Sequence, residues 1–390
     1  MATLEPFRIY LTALYANTKG GADVYTLRLA QELSRRGLSV TIVCYDADIH
    51  LESCCQVVKI RKSCSKLGIL WRLHAPWKFI SAVGAIRKRI DDEPSVIIGG
   101  PDPITFAVVR KWRHIPLIYV PHSLVAPLEV AGYSGESGVQ RYIAKSTYHF
   151  VEKYLLRRAF TTVRFTAFGC EVLKKYYGSD ACQSFSIVPM AIQIPRESEL
   201  TQNKKNRKLL FVGRLVASKN VAFLLKLLCR LTRFEWTIDI VGDGPELRNL
   251  QAIARECGIS DRVAFFGHQE RTTEFFRGAD IFLFPSKLES LGLVVLEAMS
   301  FGVPVIAFRN DAVDYVNPFH EFINSKNGYL VRDEEGFYCQ LEKILQNGSE
   351  LGQVGRAARH SVEGWTWENH IERYREIFNG TSINRSSRAS

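Results

Sequence analysis

The sequence predicts an α/β protein with two doubly wound parallel sheets. Short apolar segments rich in β-branched residues alternate with helical segments from end to end, and Gly or Pro turns separate most of them. Nearly continuous apolar strands between amphipathic helices favour parallel sheets that are covered on both faces. The 390 residues, 46% hydrophobic and 23% charged, suit two domains.

Each predicted strand is short, apolar and followed by a turn signal. In the N-terminal half these segments are 8–14, 39–45, 95–100, 116–123 and 162–168. In the C-terminal half they are 208–214, 236–244, 262–268, 280–286 and 304–310. Amphipathic helical periodicity is clear in 24–37, 221–231, 245–258 and 367–378. The alternation predicts two Rossmann-like domains that face a cleft.

A polar segment near the middle of the chain predicts the linker between the domains, residues 195–207. The N-terminal domain is then 1–194 and the C-terminal domain 208–366. The last amphipathic helix, 367–379, is expected to pack back toward the N-terminal domain. The Ser- and Arg-rich residues 380–390 predict a disordered tail.

Composition argues against several classes of protein. We find no uncharged apolar segment of the roughly 18 residues that a membrane-spanning helix needs, and no basic start followed by an apolar block. The nine cysteines form no CxxC pair and mostly lie in apolar segments, as reduced, buried thiols do. These features predict a cytoplasmic protein without a disulfide framework or a zinc site.

The net charge of +11 is concentrated in the N-terminal half. Residues 1–190 hold 25 Lys and Arg against 15 Asp and Glu, whereas 191–390 hold 26 against 25. Residues 59–89 contain many basic and no acidic residues, interleaved with Trp71, Trp77 and Phe79. Such a surface could bind an anionic membrane, or it could be a solvated helix that covers the sheet. Nucleic acid is disfavoured because no nucleic-acid-binding motif accompanies the charge.

The segment around Glu289 and Glu297 has the layout of an anion site. In an open parallel sheet, ligands bind at the carboxyl ends of strands, where helix N-termini offer N–H groups. A predicted strand ends at Pro285, Glu289 lies in the loop, and a helix begins at Gly292. The expected anion-facing N–H groups belong to Leu291, Gly292, Leu293 and Val294. Glu297, in the second turn, could accept ribose hydroxyls, or it could be a half-buried, ion-paired glutamate.

Arg214 and Lys219 follow the first strand of the second domain. Two cations at a strand-to-helix turn could hold a diphosphate, although a lone Lys219 could also be a solvated charge. The turn VGDGPE places Gly242 and Gly244 where a base or phosphate could approach the backbone. A single GxG is weak evidence for such a site.

The first domain offers three further candidates. Gly20 and Gly21 lie between strand and helix, without the spacing of a dinucleotide fingerprint or a P-loop; they could form a phosphate-covering loop or a plain turn. His122 lies at the carboxyl end of a predicted strand and could be functional or structural. Asp46 and Asp48 form a DxD that, after the second strand, favours a loop rather than a metal site.

Together these residues resemble the retaining glycosyltransferases of the GT-B fold, family 4, over nearly the whole chain. The E-x7-E motif of that family matches Glu289 and Glu297. The segment EAMSFGVPVIA, which begins at Glu297, also resembles the family. The other matching positions are Gly213, Arg214 and Lys219 of the GRL-to-Lys pair, Gly20 and Gly21 of the Gly-Gly loop, and the first-domain His122.

The resemblance implies transfer of a sugar from a nucleotide-diphosphate-sugar with retention of configuration, no cofactor and no metal. Residues 1–194 would bind the acceptor and 208–366 the donor. By this analogy Arg214 and Lys219 hold the diphosphate, Glu289 contacts the donor sugar, Glu297 holds the ribose, and His122 lies beside the sugar.

Two departures from the family pattern leave the donor open. Met190 and Ala191 stand where the family usually has Asn-Gly. The segment RNDAVDY, with Asp314, stands where it usually has Gly-Gly-x-x-Glu, before a longer loop.

The leading hypothesis is a hexosyltransferase-type glycosyltransferase in surface polysaccharide or glycolipid synthesis. Its partners would be a nucleotide sugar, a glycan or lipid-linked acceptor and an anionic membrane surface at the inner face. The alternatives are a nucleotide-sugar epimerase or hydrolase on the same fold and a catalytically inactive nucleotide-sugar-binding protein.

Overall fold

The computed structural model describes residues 7–16, 21–47, 55–60, 82–86, 90, 92–123, 138–197, 207–310 and 316–389. The chain divides into two compact units, which are described separately. Unit 1 consists of Met1–Pro189 and His370–Ser390, and unit 2 of Met190–Asn369. Most of the predicted linker, residues 198–206, lies outside the described residues.

Unit 1 is built on a parallel sheet that has seven strands among the described residues, in the order β5-β3-β1-β6-β7-β8-β9. The strands are β1 Arg8–Thr12, β3 Ser39–Cys44, β5 Gln56–Lys59, β6 Val96–Gly99, β7 Leu117–Tyr119, β8 Thr161–Arg164 and β9 Phe185–Ile187. Two short strands, β2 Tyr15–Ala16 and β4 Asp46–Ala47, form a separate pair. The helices are Gly21–Arg35, Pro103–Lys111, Gly138–Arg158 and Ala167–Tyr177, and the helix Trp367–Ala389 belongs to unit 1 from His370 onward.

In unit 1 the strand order reverses between β1 and β6, and side chains of the unit fill this point. Asp102 caps the helix Pro103–Lys111 by accepting hydrogen bonds from the Ile104 and Thr105 N–H groups, at 2.9 and 3.0 Å. The Thr105 hydroxyl lies 2.7 Å from the Thr12 hydroxyl. A Cβ on Gly99 would lie 1.9 Å from the Thr12 Oγ1, so only glycine fits there.

Unit 2 contains a second parallel sheet, in the order β12-β11-β10-β13-β14-β15 among the described residues. Its strands are β10 Lys208–Val212, β11 Thr237–Val241, β12 Val263–Gly267, β13 Ile281–Phe284, β14 Val305–Phe308 and β15 Tyr329–Val331. The helices are Val221–Cys229, Leu247–Glu256, Thr273–Gly278, Leu293–Ser300, Glu334–Gln346 and Leu351–Val362. The predicted fold class, two doubly wound α/β domains, is confirmed. Strands β2, β4, β5, β9 and β15 are not among the ten strand segments predicted above.

Aromatic packing fills the middle of unit 2. Phe284 is fully buried, with its ring centroid 6.2 Å from that of Phe211 and 5.6 Å from that of Phe282. The ring of Phe319 lies 5.8 Å from that of Phe284, on the side of the loop that follows β13. The sequences of β10 and β13 are nearly continuously apolar because both faces of each strand are covered, in part by these rings.

The C-terminal helix Trp367–Ala389 joins unit 1 through a buried hydrogen-bond chain. His370 Nδ1–H donates to the Pro189 carbonyl at 2.7 Å, which leaves Nε2 to accept from the Tyr25 hydroxyl at 2.9 Å. The Tyr374 hydroxyl completes the chain, 2.9 Å from that of Tyr25. All three side chains are at most 4% exposed.

This helix extends to Ala389, so it continues through most of the segment 380–390 for which the sequence predicts a disordered tail. No proline interrupts this stretch, so nothing in it forces the helix that starts at Trp367 to end. No helix among the described residues combines the length and the apolar character needed to cross a membrane.

Burial of His370 predicts a pH-dependent stability. Burial lowers the pKa of His370 to about 4, against roughly 6.5 in an unfolded chain. Between these values the unfolded chain takes up a proton that the folded chain does not, so stability falls as pH drops from about 6.5 towards 4. We expect the wild type to lose about 2 kcal/mol more than His370→Gln between pH 7 and pH 5, in urea unfolding.

The matched control is His360→Gln, since the His360 side chain is 85% exposed. This variant should follow the wild-type pH dependence. An equal loss in wild type and His370→Gln would contradict the neutral state of His370.

Candidate functional site

In unit 2 the strand order reverses between β10 and β13, which is where an open parallel sheet binds ligands. Residues 213–219 follow β10, and residues 285–292 follow β13. All four residues that the sequence assigns to phosphate and sugar in this domain, Arg214, Lys219, Glu289 and Glu297, lie in these loops or in the helix that follows. The topology thus brings together segments that are about 70 positions apart in sequence.

Backbone contacts join the two loops. The Lys287 N–H donates to the Ser218 carbonyl at 2.8 Å, and the Ser286 hydroxyl also donates to it, at 3.4 Å. On its other side the β13 loop pairs with Val316, which donates to the Lys287 carbonyl at 2.8 Å and accepts from the Glu289 N–H at 2.9 Å. The loop that carries Glu289 is therefore held on both sides.

This arrangement pairs Lys219 with Glu289. The ammonium of Lys219 makes an ion pair with the Glu289 carboxylate, and the two side chains are 18% and 10% exposed. Lys219 Nζ also lies 5.4 Å from the centroid of the Phe284 ring, within reach of a cation–π interaction. The residue after it, Asn220, occupies the N-cap position of the helix Val221–Cys229 with φ +57°, a conformation that Asn tolerates better than most residues.

Gly292 is the N-cap residue of the helix Leu293–Ser300, and its φ of +78° and ψ of +61° are left-handed. A Cβ at Gly292 would also lie 2.7 Å from the Phe319 ring, so glycine is required there for two reasons. Leu291 is buried, and Leu293 and Val294 are half-buried. Glu297 is half-buried in the second turn of this helix.

The remaining glycines allow two turns to stack backbone on backbone. A Cβ on Gly242 would lie 1.9 Å from the Gly213 carbonyl oxygen, and one on Gly244 would lie 2.3 Å from that of Leu215. The turns are joined by hydrogen bonds, from the Gly213 N–H to the Val241 carbonyl and from the Leu215 N–H to the Asp243 carbonyl, both at 2.9 Å. Close packing of the β10 and β11 turns is therefore one established reason for these glycines. Arg214, in the turn that follows β10, is exposed.

In unit 1, His122 follows β7 at the carboxyl edge of the sheet. Its ring lies 4.9 Å from that of Tyr25 and 5.9 Å from that of Phe165. Burial, and secondarily the Arg164 guanidinium, lower the pKa of His122 to about 4. At neutral pH the imidazole is therefore uncharged.

Other predicted residues fall partly outside the described residues. Gly20 lies outside the described residues, whereas Gly21 begins the helix Gly21–Arg35. Asp46 lies in β4 and is exposed, whereas Asp48 and Asp314 lie outside the described residues. The same holds for most of the basic segment 59–89, of which 59–60 and 82–86 are described. Within the described part of the chain, we find no cluster of three or more His, Cys, Asp or Glu side chains that could hold a metal ion.

Three features of these surroundings escape sequence reasoning. The Ser218–Lys287 contact involves backbone atoms, which leave no mark in the residue types. Arg164 looks like an ordinary strand residue in TTVRF, although a charged residue inside a predicted strand that is covered on both faces is a signal that could have found it. Tyr25 and His370 are 345 positions apart, and nothing in their local sequence indicates that they meet.

Comparison with known proteins identifies the family. The model of the "Glycosyl transferases group 1" family matches residues 195–361, and that of "Glycosyltransferase Family 4" matches residues 19–193. The chain belongs to the group 1, family 4 glycosyltransferases. The resemblance drawn from the E-x7-E segment and its companions is thereby confirmed as to family.

Individual relatives are distant. An uncharacterized glycosyltransferase of Haemophilus influenzae is 30% identical over 44% of this chain and 49% of its own length, so the match spans about half of that relative. A D-inositol 3-phosphate glycosyltransferase of Nocardia farcinica is 26% identical over 90% of this chain and 83% of its own length.

Solved structures show the same fold. Sucrose-phosphate synthase from Thermosynechococcus elongatus has a TM-score of 0.75 at 20% identity, covering 96% of this chain and 99% of the other. HepE from Anabaena, solved in complex with UDP and glucose, has a TM-score of 0.73 at 16% identity, covering 97% and 100%. At these identities the likeness concerns the fold alone.

Proposed function

We propose that the protein is a retaining glycosyltransferase that moves a sugar from a nucleotide-diphosphate-sugar to a glycan or lipid-linked acceptor. The observation that carries this proposal is the group at the strand reversal of unit 2: Lys219, paired with Glu289 over a buried ring, with Arg214 in the same turn. Family membership supports the reaction class. The complex of HepE with UDP and glucose supports a nucleotide sugar as donor.

The site residues suit departure of a diphosphate. As the bond between the sugar C1 and the diphosphate oxygen breaks, negative charge grows on that oxygen. Lys219 and Arg214 supply positive charge at the end of β10, and the helix that starts at Leu293 adds the positive end of its dipole. This arrangement stabilises the charge that develops in the transition state.

Retention follows if the acceptor attacks on the face that the diphosphate leaves. The acceptor oxygen then bonds to C1, the C1–phosphate bond breaks, and the acceptor proton passes to the departing phosphate oxygen. No protein nucleophile takes part. Glu289 would accept a hydrogen bond from a sugar hydroxyl, and Glu297 would accept hydrogen bonds from the ribose.

Removing either cation should slow the reaction. We expect Lys219→Met and Arg214→Ala each to lower the turnover rate by ~100-fold or more, the scale for loss of one preorganised charge stabiliser. The measurement is release of nucleoside diphosphate, with and without acceptor, after a panel of nucleotide sugars has been screened by thermal stabilisation.

Lys226→Ala is the matched control, because Lys226 is exposed on the helix that follows Lys219 and lies two turns away. It should turn over like the wild type. Wild-type rates in both Lys219→Met and Arg214→Ala would refute the site, and equal turnover without acceptor would favour a hydrolase.

Glu297 should act mainly in donor binding. We expect Glu297→Gln to weaken binding of the nucleoside diphosphate by roughly tenfold, as expected when one hydrogen bond to a charged group is lost. Isothermal titration calorimetry with the nucleoside diphosphate alone separates this effect from sugar contacts. Unchanged affinity would remove Glu297 from the ribose site and leave it as a structural carboxylate.

We further propose that unit 1 rests on an anionic membrane surface. The helix Gly138–Arg158 exposes Tyr142 and Phe150, at 72% and 67%. Lys145 is exposed and Lys153 half-exposed at positions that share a helical face with these rings. The only acid in this helix is Glu152, which is fully buried and accepts hydrogen bonds from two tyrosines. Exposed rings and cations without acids suit a bilayer with anionic lipid.

Flotation with vesicles tests this surface. We expect the protein to float at low salt with phosphatidylglycerol-containing vesicles and not with pure phosphatidylcholine, since the attraction is partly electrostatic. The double variant Tyr142→Ser, Phe150→Ser should float several-fold less. Ile187→Ser, which removes another exposed apolar side chain of unit 1, should float like the wild type. Equal flotation of all three proteins would rule out this helix as the membrane contact.

A further inference from the structure

A buried arginine holds the chain on both sides of His122. Arg164 is the last residue of β8 and is 2% exposed. Its Nη1 donates hydrogen bonds to the Pro121 carbonyl at 2.9 Å and to the Ser123 carbonyl at 2.7 Å. One nitrogen thus joins the residues that immediately precede and follow His122, so it restrains the backbone from which the imidazole projects.

The surroundings are shaped to admit this guanidinium. A Cβ on Gly169 would lie 2.6 Å from both Nε and Nη2 of Arg164, so a larger residue there would displace the side chain. Gly169 itself is fixed in the first turn of the helix Ala167–Tyr177, where its N–H donates to the capping Thr166 hydroxyl at 3.2 Å. The position of the guanidinium is therefore determined by the fold.

The imidazole of His122 is restrained by rings as well. Tyr25 packs edge-on to it with centroids 4.9 Å apart, and Phe165, the residue after Arg164, lies 5.9 Å away. Phe165 and Arg164 are neighbours in sequence, so a single segment of the chain supplies both a ring contact and the backbone clamp. A lysine would not reproduce this clamp, because the two N–H bonds of Arg164 Nη1 are fixed in the guanidinium plane, whereas an ammonium rotates on a flexible stem.

We infer that Arg164 is a positioning residue for His122: by binding the carbonyls of Pro121 and Ser123 it sets the direction of the imidazole. This inference rests on the proposed function, with His122 in the place beside the sugar that the family resemblance implies. Arg164 acts only through His122, so it should alter the chemical step and leave donor binding by unit 2 unchanged. Its positive charge also helps to keep the imidazole neutral.

Two variants perturb the clamp in different ways. Arg164→Lys keeps the charge and loses the planar guanidinium, whereas Gly169→Ala keeps the arginine and displaces it. We expect each to lower kcat by about tenfold or more, with the affinity for nucleoside diphosphate unchanged by calorimetry. Arg158→Lys is the matched control, because Arg158 also donates to a backbone carbonyl, that of Ile115, at 3.3 Å.

A double-mutant cycle separates positioning from general stability. If Arg164 acts through His122, adding Arg164→Lys to His122→Ala should cost no further turnover. Full additivity of the two changes would overturn the inference. If Arg164→Lys fails to fold, as its thermal unfolding would show, Gly169→Ala carries the same cycle.

A spectroscopic readout keeps this inference distinguishable from the proposed function. In the ¹H–¹³C NMR spectrum, the His122 ring signals should shift in Arg164→Lys and Gly169→Ala, because the ring moves relative to Tyr25, and should stay unchanged in Arg158→Lys. If His122→Ala turns over normally, the sugar-contacting role of His122 fails, and the NMR shifts alone decide the positioning. Unchanged His122 signals in both clamp variants would overturn it.

Discussion

The ion pair between Lys219 and Glu289 is the interaction on which the candidate site of unit 2 depends. Both side chains are largely buried, and an unpaired ammonium or carboxylate in such a place would cost several kcal/mol. In the ligand-free protein each group therefore offsets the cost of burying the charge of the other. In the proposed reaction the diphosphate would share Lys219, which would leave Glu289 oxygens to accept hydrogen bonds from the sugar. The pair thus keeps a cation ready at the end of β10.

Backbone contacts, rather than side chains, place this pair. The Ser218 carbonyl accepts from Lys287, and the β13 loop pairs with Val316 on its other side, so both partners sit on segments whose backbone is fixed. Gly213 and Gly242 bring the turns after β10 and β11 into direct contact. A preorganised charge is effective in catalysis because it needs no rearrangement at the moment of reaction. The rigid turns and the buried Phe284 under Lys219 meet that requirement.

The sequence predicts the fold and the parts of the site that lie within one motif. Apolar strands and turn residues indicate both sheets. The positions of Glu289, Gly292 and Glu297 relative to one another could be predicted because one loop and the helix that follows it contain all three. The pairing of Lys219 with Glu289 could not be predicted, since it depends on strand order and on a backbone hydrogen bond. The helix to Ala389 departs from the predicted tail because polar composition alone does not exclude helix.

The chemistry open to His122 is limited by its surroundings. With a pKa near 4, its imidazole is neutral at physiological pH, and the buried Arg164 beside it disfavours uptake of a proton. A neutral imidazole can donate one hydrogen bond and accept another, but it is a poor general acid at pH 7. In the proposed reaction His122 would therefore orient a hydroxyl, which agrees with a mechanism in which the leaving phosphate takes the acceptor proton. For such a role the direction of the ring matters more than its basicity, and direction is what the two carbonyl contacts of Arg164 and the rings of Tyr25 and Phe165 determine.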